Sequence, residues 1–266
     1  MEEKDRILVV DDELPVCRSI AGALETEGYL VDTVQSGEEA VKRMTETEYD
    51  LLLVDLMMPG MSGLELLKTV KEKHPAAVVI MITGYPTMKT AVQAVKSGAF
   101  DYLPKPFTPK ELRVLVSRGL GWRRLRDRAE SGRPVAGKPD ISMTKDIYCI
   151  PGHSWVRVEA DGMVRVGVHE TFLISLQTVT SVEFPYEGER ISQGEACMWL
   201  TDQQRNLHRI WAPVSGKVAA VHTELKTDPA QVLRDPYGSG WLLLVESDRL
   251  EDDLKNLVPF DFREWS

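Results

Sequence analysis

Five residues of this 266-residue chain have types and positions that suit one chemistry: Asp11, Asp12, Asp55, Thr83 and Lys105. Each stands at the end of a short apolar run. Asp11 and Asp12 follow ILVV, Asp55 ends LLLVD, Thr83 ends VVIMIT, and Lys105 follows DYLP just before Pro106. A lone aspartate after a strand is ordinarily a turn or cap residue. Carboxylates, a hydroxyl and an ammonium at successive strand ends form a different pattern. They suit a hard cation with oxygen ligands, Mg²⁺, together with a phosphoryl group whose charge the ammonium offsets.

The elements that must position these residues are legible from periodicity. Strands are expected at 7–10, 30–34, 51–54, 78–82 and 102–103, and between them segments such as GLELLKTVKEK and TMKTAVQAVKSG carry apolar residues at helical spacing. Alternating β and α units of this size imply a doubly wound five-stranded parallel sheet, which gathers its chemistry at the carboxyl ends of the strands. A helical pattern from Pro109 runs through WRRLRDR toward the Gly/Pro-rich stretch SGRPVAGKP. Gly119 and Gly121 weaken that helix and mark a hinge. From Tyr148 the texture becomes β-branched and alternating, with WVRVEADGMVRVGV as a hairpin turning at Asp161–Gly162 and short helices only at ETFLISLQ and TDPAQVLRD. The expected domains are 1–120, a basic helical extension and linker at 121–139, and a β-rich domain with a C-terminal tail at 140–266.

Charge follows the same division: the net −9 splits into −5 over 1–120, +4 over 121–139 and −8 over 140–266. Two acidic bodies repel a phosphate backbone, so nucleic acid is a poor partner for either. Cys17, Cys149 and Cys197 lack metal-ligand spacing and read as buried free thiols. The N-terminus has no signal-peptide h-region and no span of membrane length, so a cytoplasmic protein without membrane insertion is expected.

The motifs ILVVDDE, LLLVDLMMPGMSGLELL, VIMITGY and AFDYLPKPF resemble the receiver domain of bacterial response regulators over about residues 4–120. The resemblance implies that Asp55 is the phosphoacceptor, a carboxylate nucleophile taking its phosphoryl group from a sensor histidine kinase in a phosphorelay. It assigns Mg²⁺ to Asp11, Asp12, Asp55 and the Met57 carbonyl, charge neutralisation to Lys105, and the switch to Thr83 and Tyr102. Met57 and Tyr85 would flank the phosphoryl with bulk and slow its hydrolysis. Such a chain is a phosphoacceptor signalling protein rather than a turnover enzyme, and a phosphorylation-dependent homodimer is a further expectation.

The second half resembles the H protein of the glycine cleavage system, a lipoyl-type β-sandwich or flattened barrel, over about 148–247. HSWVRVEADGMVRVGV, VEFPYEGERISQGE, APVSGKVAAVH and DPYGSGWLLLV carry that likeness. The family presents a lysine for lipoate on a hairpin tip, but no lysine occurs between Lys145 and Lys217. Counted back from Pro213 the lysine position falls on Arg205, and counted forward from Gly194 it falls on Gln204. A guanidinium stays charged and a carboxamide is not nucleophilic, so no lipoate is expected. One reading makes the tip a solvated hairpin end with Arg205, His208 and Arg209 as surface residues. The other makes it a recognition surface for a protein partner, with Arg forks and Trp199 or Trp211 as anchors. His153, His169 and His222 have no ligand-like spacing and read as structural. The alternatives are a phosphorylation-controlled lipoyl or acyl carrier, opposed by the missing lysine, and a DNA-binding transcriptional regulator, opposed by the shortness of the WRRLRDR run.

Overall fold

The computed structural model describes residues 4–84, 88–130 and 147–260, and the chain divides into two compact units, Met1–Val135 and Ala136–Ser266. In the first unit the strands are β1 (Arg6–Val10), β2 (Leu30–Val34), β3 (Leu51–Asp55), β4 (Val78–Thr83) and β5 (Asp101–Pro104). They pair in parallel in the order β2-β1-β3-β4-β5, the doubly wound arrangement expected. The central strands β3 and β4 are buried along their whole length, which is why LLLVD and VVIMIT read as continuous apolar runs.

Helices α1 (Leu14–Glu25) and α5 (Pro109–Glu130) cover one face, where Ile7, Val9, Leu51, Leu53, Val78 and Ile80 meet Ile20, Leu24, Leu112 and Val116. Helices α2 (Gly37–Glu46), α3 (Gly63–Lys73) and α4 (Met88–Lys96) complete the layers. Ser36 caps α2 by accepting the Glu39 N–H. Ser62 and Glu65 form a reciprocal capping box at α3. These caps stop the chain from continuing into helix before the strand-end loops are complete.

Helix α5 runs without interruption through Gly119 and Gly121, against the expectation of a hinge there. Gly119 is the point of close approach to the sheet: a Cβ would stand 3.1 Å from both Leu51 Cδ1 and Val78 Cγ1. The basic turn beyond it is engaged by the same unit. Arg123 pairs with Asp50, Arg124 donates to Asp5 at 2.9 Å and Arg126 to the Ala76 carbonyl. The linker expected at 131–139 lies outside the described residues, as does Tyr85.

The second unit consists of two antiparallel sheets, as expected for a β-sandwich or flattened barrel. Its strands are β6 (Ile147–Ile150), β7 (Ser154–Val158), β8 (Val164–Val168), β9 (Ser181–Glu183), β10 (Arg190–Ile191), β11 (Ala196–Thr201), β12 (Leu207–Trp211), β13 (Gly216–Val221), β14 (Leu243–Glu246) and β15 (Val258–Pro259). Their orders are β10-β13-β14-β8-β7-β6-β15 and β12-β11-β9. The two helical segments expected are present as α6 (Glu170–Leu176) and α7 (Gln231–Arg234).

The segment expected to be a tail instead completes the domain. It forms α8 (Leu250–Leu254), whose buried Asp253 accepts the Ser215 N–H, and β15, which pairs with β6. Trp155 explains one glycine: its indole lies so close to Gly167 that a Cβ there would come within 2.3 Å of the ring. All three cysteines are buried free thiols. Among the described residues no helix is long and apolar enough to cross a membrane.

Candidate functional site

Because β1, β3, β4 and β5 are parallel neighbours, the residues at their carboxyl ends share one rim. Asp11 follows β1, Asp55 ends β3, Thr83 ends β4 and Lys105 follows β5, and Asp11, Asp55 and Thr83 are buried there. The Lys105 ammonium bridges the two carboxylates, donating to Asp11 Oδ2 at 2.7 Å and to Asp55 Oδ1 at 2.8 Å. The second oxygen of Asp55 accepts the Met57 N–H at 2.7 Å, and Asp11 Oδ1 accepts the Glu13 N–H at 3.0 Å. Lys105 N–H in turn donates to the Thr83 carbonyl, which ties the end of β5 to β4.

Burial pushes the Asp55 carboxyl above the usual aspartate range, and the hydrogen bonds from Lys105 and Met57 only partly offset it. For Lys105 burial acts downward, but its bonds to Asp11 and Asp55 outweigh it and the net shift is upward. The site therefore sets one ammonium, held protonated, against two carboxylates. Cys17 lies underneath, its buried thiol donating to the Asp11 carbonyl at 3.2 Å.

Asp12 is exposed, and its carbonyl accepts from Gln35 Nε2 at 3.0 Å; the Met57 side chain is 62 % exposed. Among the described residues no three His, Cys, Asp or Glu side chains are gathered to hold a metal ion. Lys105 draws Asp11 and Asp55 together, while Asp12, next in the chain, is exposed. Even so, one cationic group reaches both of them, and the donors are carboxylate and carbonyl oxygens. That set fits Mg²⁺.

The loop after Asp55 depends on Gly63. Its N–H donates to the Leu56 carbonyl, and a Cβ there would stand 2.1 Å from the Asp55 carbonyl oxygen. Tyr102 is buried with its hydroxyl 3.2 Å from Thr90 Oγ1, a partner on α4 that strand patterning alone does not identify.

In the second unit Gln204 and Arg205 are exposed in the five-residue connection between β11 and β12, with Arg205 at φ 63°. The connection is organised by Asp202, which sequence reasoning passed over. Its carboxylate accepts from the Asn206 N–H at 2.8 Å and Asn206 Nδ2 at 3.0 Å, and it stands 3.0 Å from His208 Nε2. Burial raises the Asp202 carboxyl, but the bonds from His208 and Asn206 prevail and the net shift is down.

His208 is buried, contrary to the reading that placed it on the surface, and the alternation through β12 was the available signal: Leu207 and Arg209 face out, His208 and Ile210 face in. Trp211 is buried as well, stacked at 4.5 Å on His153, so only the half-buried Trp199 remains available as an anchor. His169 caps α6 by accepting the Thr171 N–H at 3.2 Å, its pKa depressed to about 3 by burial. His222 stacks on Trp241 at 4.4 Å.

Comparison with known families agrees with both halves. Residues 7–117 match the response regulator receiver domain, and residues 147–261 match the glycine cleavage H-protein. Curated relatives include the transcriptional regulatory protein ResD of Bacillus subtilis, 37 % identical over 157 residues that make up 59 % of this chain and 63 % of ResD. The nitrogen assimilation regulatory protein NtrX of Azorhizobium caulinodans is 39 % identical over 122 residues, 45 % of this chain and 27 % of NtrX. The chain thus spans less than two thirds of the length of either relative. Among solved structures, a CheY-like receiver domain from Methanospirillum hungatei is 31 % identical and aligns over 47 % of this chain and 99 % of its own, with a TM-score of 0.46. The beryllofluoride-activated NtrC4 receiver domain dimer is 36 % identical, covering 44 % of this chain and 98 % of its own, with a TM-score of 0.43. The chain therefore joins a response regulator receiver domain of two-component signalling, residues 7–117, to a glycine cleavage H-protein domain, residues 147–261.

Proposed function

We propose that this protein is a response regulator phosphorylated on Asp55 by a sensor histidine kinase, and that its H-protein domain is a non-lipoylated output module acting by protein binding. The observation that carries the first half is the Lys105 ammonium shared by Asp11 and Asp55. An Asp55 oxygen attacks the phosphorus of a phosphohistidine, the P–N bond breaks and the imidazole leaves. Lys105 favours the ionised form of the buried nucleophile and meets the charge of the arriving phosphoryl; Thr83, at the end of β4, contributes a hydroxyl to one phosphoryl oxygen. Mg²⁺, held by Asp11, Asp12, Asp55 and the Met57 carbonyl, would supply further electrostatic stabilisation of the transferring group. The chain assists its own phosphorylation and hydrolysis and turns over no other substrate.

Support for the second half is the chemistry of the tip. The carrier-lysine position falls on Arg205 counted back from Pro213 and on Gln204 counted forward from Gly194, and neither residue can form a lipoyl amide under ligase conditions. An intact-mass experiment tests both halves. With acetyl phosphate and Mg²⁺ the wild type should gain one phosphoryl mass and Asp55→Asn none. With lipoate ligase, lipoate and ATP the mass should stay unchanged. Equal labelling of both proteins removes Asp55 from the reading, and a lipoyl adduct restores the carrier alternative.

A further inference from the structure

At the end of β11 away from the tip, the second unit contains a cleft of about 380 Å³ lined by Phe184, Tyr186, Trp199, Glu189, Arg190 and Glu195 among others. It lies between the segment after β9 and the start of β11, where Trp199 pairs with Glu183. A tight turn shapes its lip. The Tyr186 N–H donates to Glu189 Oε2 at 2.9 Å, the Glu189 N–H returns to the Tyr186 carbonyl at 3.0 Å, and Gly188 supplies the positive φ of 89° between them. That turn fixes a carboxylate beside a tyrosine that is 85 % exposed, the most exposed large apolar side chain among those described.

Carboxylates outnumber cations around the cleft, where Lys217 of β13 lies against Gly188 behind the lip. Glu183, Glu187, Glu189 and Glu195 are all exposed in this stretch, and Arg190, the one cation lining the cleft among the described residues, is paired with Asp248. Arg209 faces Trp199 from β12, on the other side of β11 from the 184–190 loop, and does not line the cleft. Cys197 does line it, but burial pushes its thiol up to about 12, so no thiolate adds to the charge.

Aromatic faces beside carboxylates attract an organic cation: the ring quadrupole and the acid act on the same charge, and the apolar walls take its alkyl stem. We infer that this cleft is a binding site for the alkylammonium group of a lysine-type side chain presented by a partner protein. It is separate from the carrier-lysine position and does not depend on phosphorylation of Asp55, so its test stands apart from that of the proposed function.

The test is a titration of the full-length ¹⁵N-labelled protein with Nα-acetyl-lysine N-methylamide and its ε-trimethyl form, followed at the Trp199 indole N–H assigned with Trp199→Phe. The controls are the amides of norleucine, which keeps the stem without the charge, and of glutamate, which carries the opposite charge. Both lysine probes should shift the Trp199 indole and the backbone amides of 184–190, while neither control does so at the same concentration. Glu189→Gln/Glu195→Gln should weaken binding at least five-fold while the remaining spectrum is retained, because both residues are exposed. Equal shifts from norleucine, unchanged binding by the double variant, or no response to either lysine probe up to 50-fold molar excess would each overturn the assignment.

Discussion

Asp55 carries opposing demands: a nucleophile must be ionised, yet burial disfavours the charge. Its folded pKa is raised, so the native state binds a proton more readily than the unfolded chain. Stability from this group is therefore highest at low pH and falls as pH rises from the ordinary carboxylate value through the folded one. Lys105 moderates that loss without cancelling it. Asp55→Asn should accordingly unfold a few degrees above the wild type at pH 7 without divalent metal, with the gap closing toward pH 4. Thermal melts at several pH values measure this, and a variant less stable at pH 7 would mean that the Lys105–Asp55 pair outweighs desolvation. At this scale the sequence was informative where topology dictates position. A parallel sheet puts Asp11, Asp55, Thr83 and Lys105 on one rim whatever their rotamers. It does not say which carboxylates a long lysine side chain will bridge, and so the exposure of Asp12 was not legible. His208 was legible in principle from the period of β12, but the neighbouring arginines made the segment look uniformly solvated.

Elements show why glycines in the same sequence have different meanings. Gly119 and Gly121 look alike as helix breakers, yet Gly119 sits against Leu51 and Val78, whereas a Cβ on Gly121 meets nothing within 4 Å. Gly121→Ala should therefore stabilise the receiver by roughly 0.5–1 kcal/mol through helix propensity alone. Gly119→Ala should gain less, since Leu51 and Val78 must give way. Gly63 is a third case, because the obstacle is backbone: Gly63→Ala would drive a methyl into the Asp55 carbonyl and should cost at least about 1–3 kcal/mol and abolish phosphorylation. Urea denaturation of the three variants, with acetyl phosphate labelling of the last, checks the ranking. A Gly63→Ala protein as stable and as readily labelled as wild type would contradict the loop geometry. Periodicity identified these helices correctly but could not separate a glycine that weakens a helix from one that lets it approach a sheet. That distinction resides in the partner's side chains.

At the scale of the whole molecule, the proposed phosphorylation raises the question of how a charge added at Asp55 would reach a β-domain that begins more than ninety residues later. Thr83 and Tyr102 lie on the adjacent strands β4 and β5, and Tyr102 already contacts Thr90 of α4 through its hydroxyl. Helix α5 is the next element after β5 and precedes the second domain in the sequence. Its basic turn is held by Asp5, Asp50 and the Ala76 carbonyl. Surface ion pairs of this kind contribute little individually. A displacement of Thr83 and Tyr102 on phosphorylation therefore has to bias α5 by only a small free energy to redirect the chain beyond it, which is how a local charge becomes a population shift. The expected consequence is a phosphorylation-dependent change in interdomain distance or in dimer population, with the H-protein domain presented differently rather than chemically altered. Small-angle scattering and sedimentation with and without beryllofluoride report the two changes separately. A longer maximum dimension at constant mass indicates rearrangement within one chain, and a doubled mass indicates association. Arg123→Ala/Arg124→Ala, which loosens α5 without touching Asp55, should move the unphosphorylated protein part of the way toward the beryllofluoride state. Identical mass and radius in all three samples would show that the receiver does not control its output through this helix.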